Sequence, residues 1–385
     1  MKRKKLRGNI RNAFLLILLA VLATMVGFYL QRKENFVNHY IDVTYETVNT
    51  EEVYTASMVM VGDALMHMPI NRTYQTKSGY DFKGIFKYIK PIVENYDLAY
   101  YNQETMLGGS SLGLSGYPQF NSPTEVGEAF VDAGFNLVSL ATNHTLDGRY
   151  RYSNKAITNS RKFWNSQDGV IAAGSYTSQE ERDEVIIKEV NGIKYALLSY
   201  TTSTNGLAIP SGQSYLVNKY SEKQVKTDIE KYRDKVDLLM VAMHWGVEYV
   251  HYPNNDQKTI AKYLAKNGVD IVIGCHPHVI QPIDMIDDTL VIYSLGNFVS
   301  NQDTVAKLTG LMASVNIKKR VYHGETTISF DNIMADLIYT NKKNKYIVYP
   351  YTELNNNILS NYKSHYTKFS KYITAYTDKV KMREL

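Results

Sequence analysis

"GVDIVIGCHPHVIQP", residues 268–282, sets a strand-length apolar run directly before two histidines separated by one proline. The run is bounded by glycine and rich in β-branched residues, which predicts a buried strand of a largely parallel sheet. On extended backbone, residues two apart point to the same side. His276 and His278, with Pro277 restricting the backbone between them, are therefore a pair. Such a pair either holds something together or fills a polar corner.

Working outward, the same pattern of apolar strand, loop and amphipathic helix repeats from Val53. Strands are predicted in "ASMVMVGD" (56–63), "LAYYNQE" (98–104), "FNLVSLATNH" (135–144), "VDLLMVAMHWG" (236–246) and "TLVIYSLGNF" (289–298). A hairpin is expected in "EVIIKEVNGIKYALLSYT" (184–201), and residues 108–123 form a Gly/Ser-rich loop. Strands alternating with helices predict an α/β fold. The reading places one folded domain over residues 51–335. The Tyr-, Asn- and Lys-rich residues 336–385 are expected to be an appended basic extension.

The informative feature is where each strand stops. Asp63 ends the first; Asn102 and Glu104 end the second; Asn143 and His144 end the third, with Asp147 close by. His244 and Glu248 follow the fourth, His276 and His278 the fifth, and Asn297 the sixth. Ligands of α/β sheets bind outside the carboxyl ends of the strands, so these side chains are expected to share a crevice. Singly, each has a plainer reading. Asp63 after Gly62 suits a turn, Asp147–Gly148 is a common turn dipeptide, and Trp245 suits packing beside the site. Recurrence favours the metal reading. Imidazole, carboxylate and amide oxygen together suit a divalent cation such as Zn²⁺, Mn²⁺ or Fe²⁺ better than Ca²⁺. A pair of such ions would clamp the attacking and leaving oxygens of a displacement and supply hydroxide near neutral pH.

The amino terminus reads differently. Residues 1–11, "MKRKKLRGNIR", carry six basic groups and no acid, and residues 12–30, "NAFLLILLAVLATMVGFYL", carry no charge. Nineteen helical residues span roughly 28 Å, close to the ~30 Å of a bilayer core. A buried core helix would show a polar stripe, which is absent, and a cleaved signal peptide would have a shorter apolar run and a small-residue cleavage site. An uncleaved signal anchor is expected, with a cytoplasmic basic tail and the remaining chain outside the membrane. Residues 31–50 are a polar spacer. The body, residues 12–340, holds 28 basic against 35 acidic side chains. That excess argues against nucleic-acid binding, which needs a basic face. The single cysteine, Cys275, excludes an internal disulfide.

At these positions the chain resembles the CapA (PgsA) family of capsule and poly-γ-glutamate biosynthesis proteins. The matching stretches are "MVGDALMH", "NQE", "FNLVSLATNHTLDG", "HWGVEY", "GVDIVIGCHPHVIQP" and "VIYSLGNFV", over about residues 55–300. The resemblance implies a calcineurin-like metallophosphoesterase fold, a four-layered α/β sandwich. It also implies an anchored outer component that works with a polymer synthetase and a small membrane partner on an anionic polymer. By the same resemblance Asp63, Glu104, Asn143, His244, His276 and His278 would hold metal. His144 would act as general acid beside Asp147, with His67, Asn102, Trp245, Glu248 and Asn297 in support. Three places depart from the usual pattern. Leu65 stands where metallophosphoesterases place a histidine, with His67 two residues further on; Asn102 and Glu104 replace a Gly-Asp motif; and Thr142 precedes Asn143–His144.

Overall fold

The computed structural model describes the backbone of residues 2–48 and 51–385, and the side chains of residues 12–35, 51–149 and 151–385. The side chains of the basic tail 1–11 and of most of the spacer 31–50 lie outside the described residues. Contacts divide the chain into two units. One is Met1–Glu52 with Arg320–Thr326, and the other is Val53–Lys319 with Thr327–Leu385.

Among the described residues the first unit contains one helix, Lys2–Val48, so residues 31–48 of the spacer continue the helix that precedes them. Its segment Asn12–Asn35 has a mean hydropathy of 2.6 and none of it is buried. Its 24 residues would reach about 36 Å. This segment is a candidate single membrane span.

The strands, among the described residues, are fifteen. The first four are β1 (Glu52–Ala64), β2 (Leu98–Asn102), β3 (Leu137–Ser139) and β4 (Ile171–Ala173). The next six are β5 (Ile187–Val190), β6 (Ile193–Thr201), β7 (Leu238–His244), β8 (Ile271–Cys275), β9 (Ile283–Ile286) and β10 (Thr289–Ile292). The last five are β11 (Asn297–Val299), β12 (Thr309–Tyr322), β13 (Glu325–Asn341), β14 (Ile347–Pro350) and β15 (Lys381–Met382). They form two sheets. One runs β14-β13-β12-β1-β2-β3-β4, with β11 beside β1 and β15 beside β13; the other runs β5-β6-β7-β8-β10-β9.

Alternation along the strands builds the layers. Met58 and Met60 of β1 face inward, where with Tyr100 they share a core with Leu197, Met240 and Ile273 of the second sheet. Val59 and Val61 face outward and pack with Phe86, Phe130 and Trp164 beneath one helical layer. On the far side, Leu198, Val241 and Val272 pack against Val225 and Ile229 of helix Glu222–Tyr232 and Leu264 of helix Asn255–Lys266. The result is a helix–sheet–sheet–helix sandwich, the α/β architecture expected. Strands covered on both faces must be apolar throughout, hence the uninterrupted runs.

Parallel pairing gives the strand ends a common destination. β1–β2–β3–β4 run parallel in one sheet and β6–β7–β8–β10 in the other. Asp63 therefore lies level with Asn102, and His244 level with Cys275.

Two expectations are corrected. "TLVIYSLGNF" is not one strand: β10 ends at Ile292 in the second sheet, and Asn297 opens β11 in the first, level with Asp63. The chain changes sheets through Gly296, whose φ of +64° favours glycine. Nor is 336–385 an appendage, because the boundary at 335 cuts β13. Ile347–Pro350 pairs with β13, and Tyr349, Tyr351, Phe369 and Ile373 are buried in the inter-sheet core. The tyrosines that made this segment look polar supply rings to that core.

Candidate metal centre

Asp63 is placed by a close approach of two strands. Gly62 lies so near β11 that a Cβ there would sit 1.8 Å from the Gly296 carbonyl oxygen, and the Asp63 amide donates to that oxygen at 2.9 Å. The register shifts between Asp63 and Ala64. Irregularities of this kind re-aim side chains beside functional sites. The Asn102 amide donates to Asp63 Oδ1 at 2.8 Å.

The histidine pair arrives by another route than strand alternation. β8 stops at Cys275, and His276 and His278 have φ values of +97° and +56°. The backbone curls rather than extends, which corrects the expected geometry, yet the two ring centroids lie 5.9 Å apart. Left-handed backbone at non-glycine residues is strained and concentrates at functional sites. His276 Nδ1 stands 3.2 Å from His244 Nε2, which also lies 2.9 Å from Asn143 Oδ1. His278 Nδ1 lies 3.0 Å from Asn297 Oδ1 and 3.3 Å from Asp63 Oδ2.

Glu104 is at the centre. Its side chain is fully buried, and neither carboxylate oxygen has a hydrogen-bond partner among the described residues. The nearest basic groups are His278 Nε2 at 3.6 Å and His244 Nε2 at 3.7 Å from Oε1. These are too long for hydrogen bonds. Donors sharing one tetrahedral ion at about 2.1 Å stand roughly 3.4 Å apart, so the spacing fits a metal between them. Ligand atoms of Glu104, His244 and His276 lie within 4.8 Å of one another, and so do those of Asp63, Glu104 and His278. A buried carboxylate without a partner is costly, and a divalent cation would supply the missing charge.

The electrostatics agree. Burial pushes the Glu104 carboxyl well above its usual value; His278 opposes the shift and Asp63 adds to it. Burial lowers His278, but Glu104 and Asp63 outweigh it and raise it to about 9. Burial and the neighbouring His278 lower His276 to about 4, and burial with His276 and His278 holds His244 well below its usual value. His244 and His276 are thus held in the unprotonated form that ligates metal, whereas His278, charged beside two carboxylates, would give up its proton to an incoming cation.

Beside the donors stands a second polar pair. His144 Nδ1 lies 2.6 Å from Asp147 Oδ2, and the Phe120 amide donates to the same oxygen at 2.7 Å. Asp147 is therefore a partner of His144 rather than an exposed turn residue. The Phe120 ring meets His144 edge-on at 4.8 Å and His67 edge-on at 5.4 Å. His67 flanks the site; burial lowers it to about 4, although the Leu65 carbonyl acts in the opposite sense.

Among the predicted residues, the structure gathers Asp63, Asn102, Glu104, Asn143, His244, His276, His278 and Asn297 into one network, buried except for the half-buried His276, with the buried His144–Asp147 pair beside it. Glu248 reaches the pair from the exposed side: one carboxylate oxygen lies within 4.8 Å of ring nitrogens of His276 and His278. Trp245 turns away. Its indole packs among the residues under the helices of the second sheet and donates to the Tyr293 carbonyl at 2.9 Å. Sequence reasoning missed Phe120, which nothing in its loop sets apart from Leu112, Leu114 and Tyr117. It also missed Tyr249, whose ring lies 6.0 Å from that of His278.

Comparison with known proteins shows the family of the chain. The family model described as bacterial capsule synthesis protein PGA_cap matches residues 57–302, which span the whole network. The PGA biosynthesis protein CapA of Bacillus subtilis (strain 168) is 26% identical over 279 residues, covering 70% of this chain and 69% of that protein. The capsule biosynthesis protein CapA of Bacillus anthracis is 26% identical over 314 residues, covering 78% and 71%. Among solved structures, the NAD nucleotidase NadN of Haemophilus influenzae is 11% identical with a TM-score of 0.42, covering 86% of this chain and 57% of that one. With well over half of its length matched by the family model, site included, this chain belongs to the bacterial capsule synthesis protein family PGA_cap.

Proposed function

We propose that this chain is a membrane-anchored, extracytoplasmic component in the synthesis or export of capsular poly-γ-glutamate or a related anionic polymer. Family membership is the observation that carries this reading. The apolar helix with a Lys/Arg-rich segment before it supports an anchor with a cytoplasmic amino terminus. In this reading the outer domain works beside a polymer synthetase and a small membrane partner.

A second reading, a metal-dependent phosphoesterase acting on cell-envelope substrates, is favoured by the partnerless Glu104 carboxylate among imidazoles. Asp63, Glu104, Asn143, His244, His276 and His278 would hold a divalent ion or ions such as Mn²⁺, Zn²⁺ or Fe²⁺. Such an ion would polarise a phosphoryl oxygen and lower the pKa of bound water. Asn297 and Asp63 orient His278. Asp147 holds His144 by Nδ1, which leaves Nε2 to carry a proton to a leaving oxygen.

One experiment serves both readings. A deletion strain is complemented with the wild type, Asp63→Asn or His276→Ala, and cell-bound polymer is measured alongside metal-stimulated phosphodiesterase activity of the purified chains. Loss of polymer on deletion is expected, and a normal capsule there would overturn the first reading. Loss of activity in both variants is expected under the second; unchanged turnover would end it.

A further inference from the structure

We propose that Glu248 is an additional metal ligand, closing the centre from its solvent side; the inference rests on the metal-centre reading above. The buried donors are unevenly shared. The Glu104–His244–His276 group has two imidazoles and Asn143 beside them, whereas the Asp63–Glu104–His278 group has one imidazole. Leu65, two residues beyond Asp63, is buried and apolar and offers no donor. The remaining set of ligand atoms within 4.8 Å of one another is Glu248 with His276 and His278. Glu248 is thus the acid outside the buried network that reaches both histidines.

The backbone shows why an exposed side chain is held there. Gly246 has φ +91°, and a Cβ on it would meet the Gln257 side chain at 2.6 Å. Tyr249, on the other side of Glu248, has φ +67°. The loop is tied to the segment that carries the histidines. The Tyr249 amide donates to the Pro277 carbonyl at 2.7 Å, and the Gln281 amide donates to the Val250 carbonyl at 2.8 Å. His251 Nδ1 lies 2.9 Å from the Ile280 carbonyl. Gln257, in the capping box that starts helix Asn255–Lys266, donates to Gln281 Oε1 at 2.8 Å. Four contacts tie the Glu248 loop to the segment that carries His276 and His278, so the backbone that presents the carboxylate stays beside the pair. One strained non-glycine residue, Tyr249, and one close approach, at Gly246, thus hold the backbone that presents Glu248.

The test uses the full chain in detergent, stripped of metal and titrated with Mn²⁺ by calorimetry, with bound metal counted by elemental analysis. Glu248→Gln should weaken Mn²⁺ uptake by about 10- to 100-fold, the scale of disrupting a metal shell. Glu248→His, which restores a donor, should bind within a few-fold of wild type. Equal unfolding temperatures of the metal-free proteins separate ligation from folding. Wild-type affinity and stoichiometry in Glu248→Gln would overturn this assignment alone. A wild-type chain that takes up no Mn²⁺, Zn²⁺ or Fe²⁺ would overturn the metal centre itself.

Discussion

Asn297 carries no charge and is not needed as a ligand, yet it decides what His278 does. Its Oδ1 takes the Nδ1 side of the imidazole, leaving Nε2 directed toward Glu104. Its amide is itself fixed by the His278 and Lys307 carbonyls at 3.3 and 2.8 Å. Groups that orient a ligating histidine are worth about 10- to 100-fold in metal affinity. Asn297→Ala is therefore expected to lose Mn²⁺ affinity by that factor in a calorimetric titration while every donor remains. Wild-type affinity would show that Asp63, 3.3 Å from the same nitrogen, orients the ring unaided. His144 follows the same logic, because Asp147 sets its tautomer and both are buried.

At the scale of elements, local chemistry decides where backbone regularity ends. The hairpin β5–β6 turns on Asn191–Gly192, both with positive φ, as the two-residue loop requires. Residues 82–97, an amphipathic stretch interrupted by Pro91, form a 3₁₀ turn, Lys83–Phe86, and a short helix, Lys90–Val93. Helix Lys155–Asn165 is tied to helix Gln179–Asp183 by Glu181, which accepts from Arg161 and Asn165 and from the Thr177 amide and hydroxyl. Burial raises the Glu181 carboxyl, but those donors outweigh it and bring it down from 4.5 to about 2. A depressed acid stabilises the fold above its unfolded pKa and loses that contribution as pH falls through the folded one. Between pH 4.5 and about 2, wild type should lose about 1–2 kcal/mol that Glu181→Gln lacks throughout, after allowing for partial exposure. Denaturant midpoints followed against pH would show it. Parallel curves for the two proteins would refute the linkage.

The whole molecule closes through its carboxyl terminus. β14 and β15 both pair with β13, and Arg383 meets the buried Asp336 at 2.6 Å. Truncation after residue 335 would remove most of the inner half of β13 and the rings of Tyr339, Tyr349, Tyr351 and Phe369 from the inter-sheet core. Each large buried side chain lost costs about 3 kcal/mol, and a domain has only some 5–15 kcal/mol in hand. The truncated chain is expected to be unfolded, with protease sensitivity throughout the two-sheet domain. A truncated protein with native resistance to limited proteolysis would restore residues 336–385 to the status of an extension.

The sequence by itself determined the α/β class, the apolar segment 12–30 and the side chains at the strand ends. All three are local: a residue's neighbours set its periodicity, and a buried parallel strand must stop where its polar residues begin. Only the tertiary structure decided which of those side chains meet. It curled His276 and His278 through left-handed backbone, sent Asn297 across to the other sheet, turned Trp245 into the core and drew the last fifty residues into the inter-sheet packing. Each outcome depends on a contact between residues far apart in the chain. Periodicity holds no information about that contact, and Glu104, isolated in "YYNQET", finds its surroundings only when two sheets close over it.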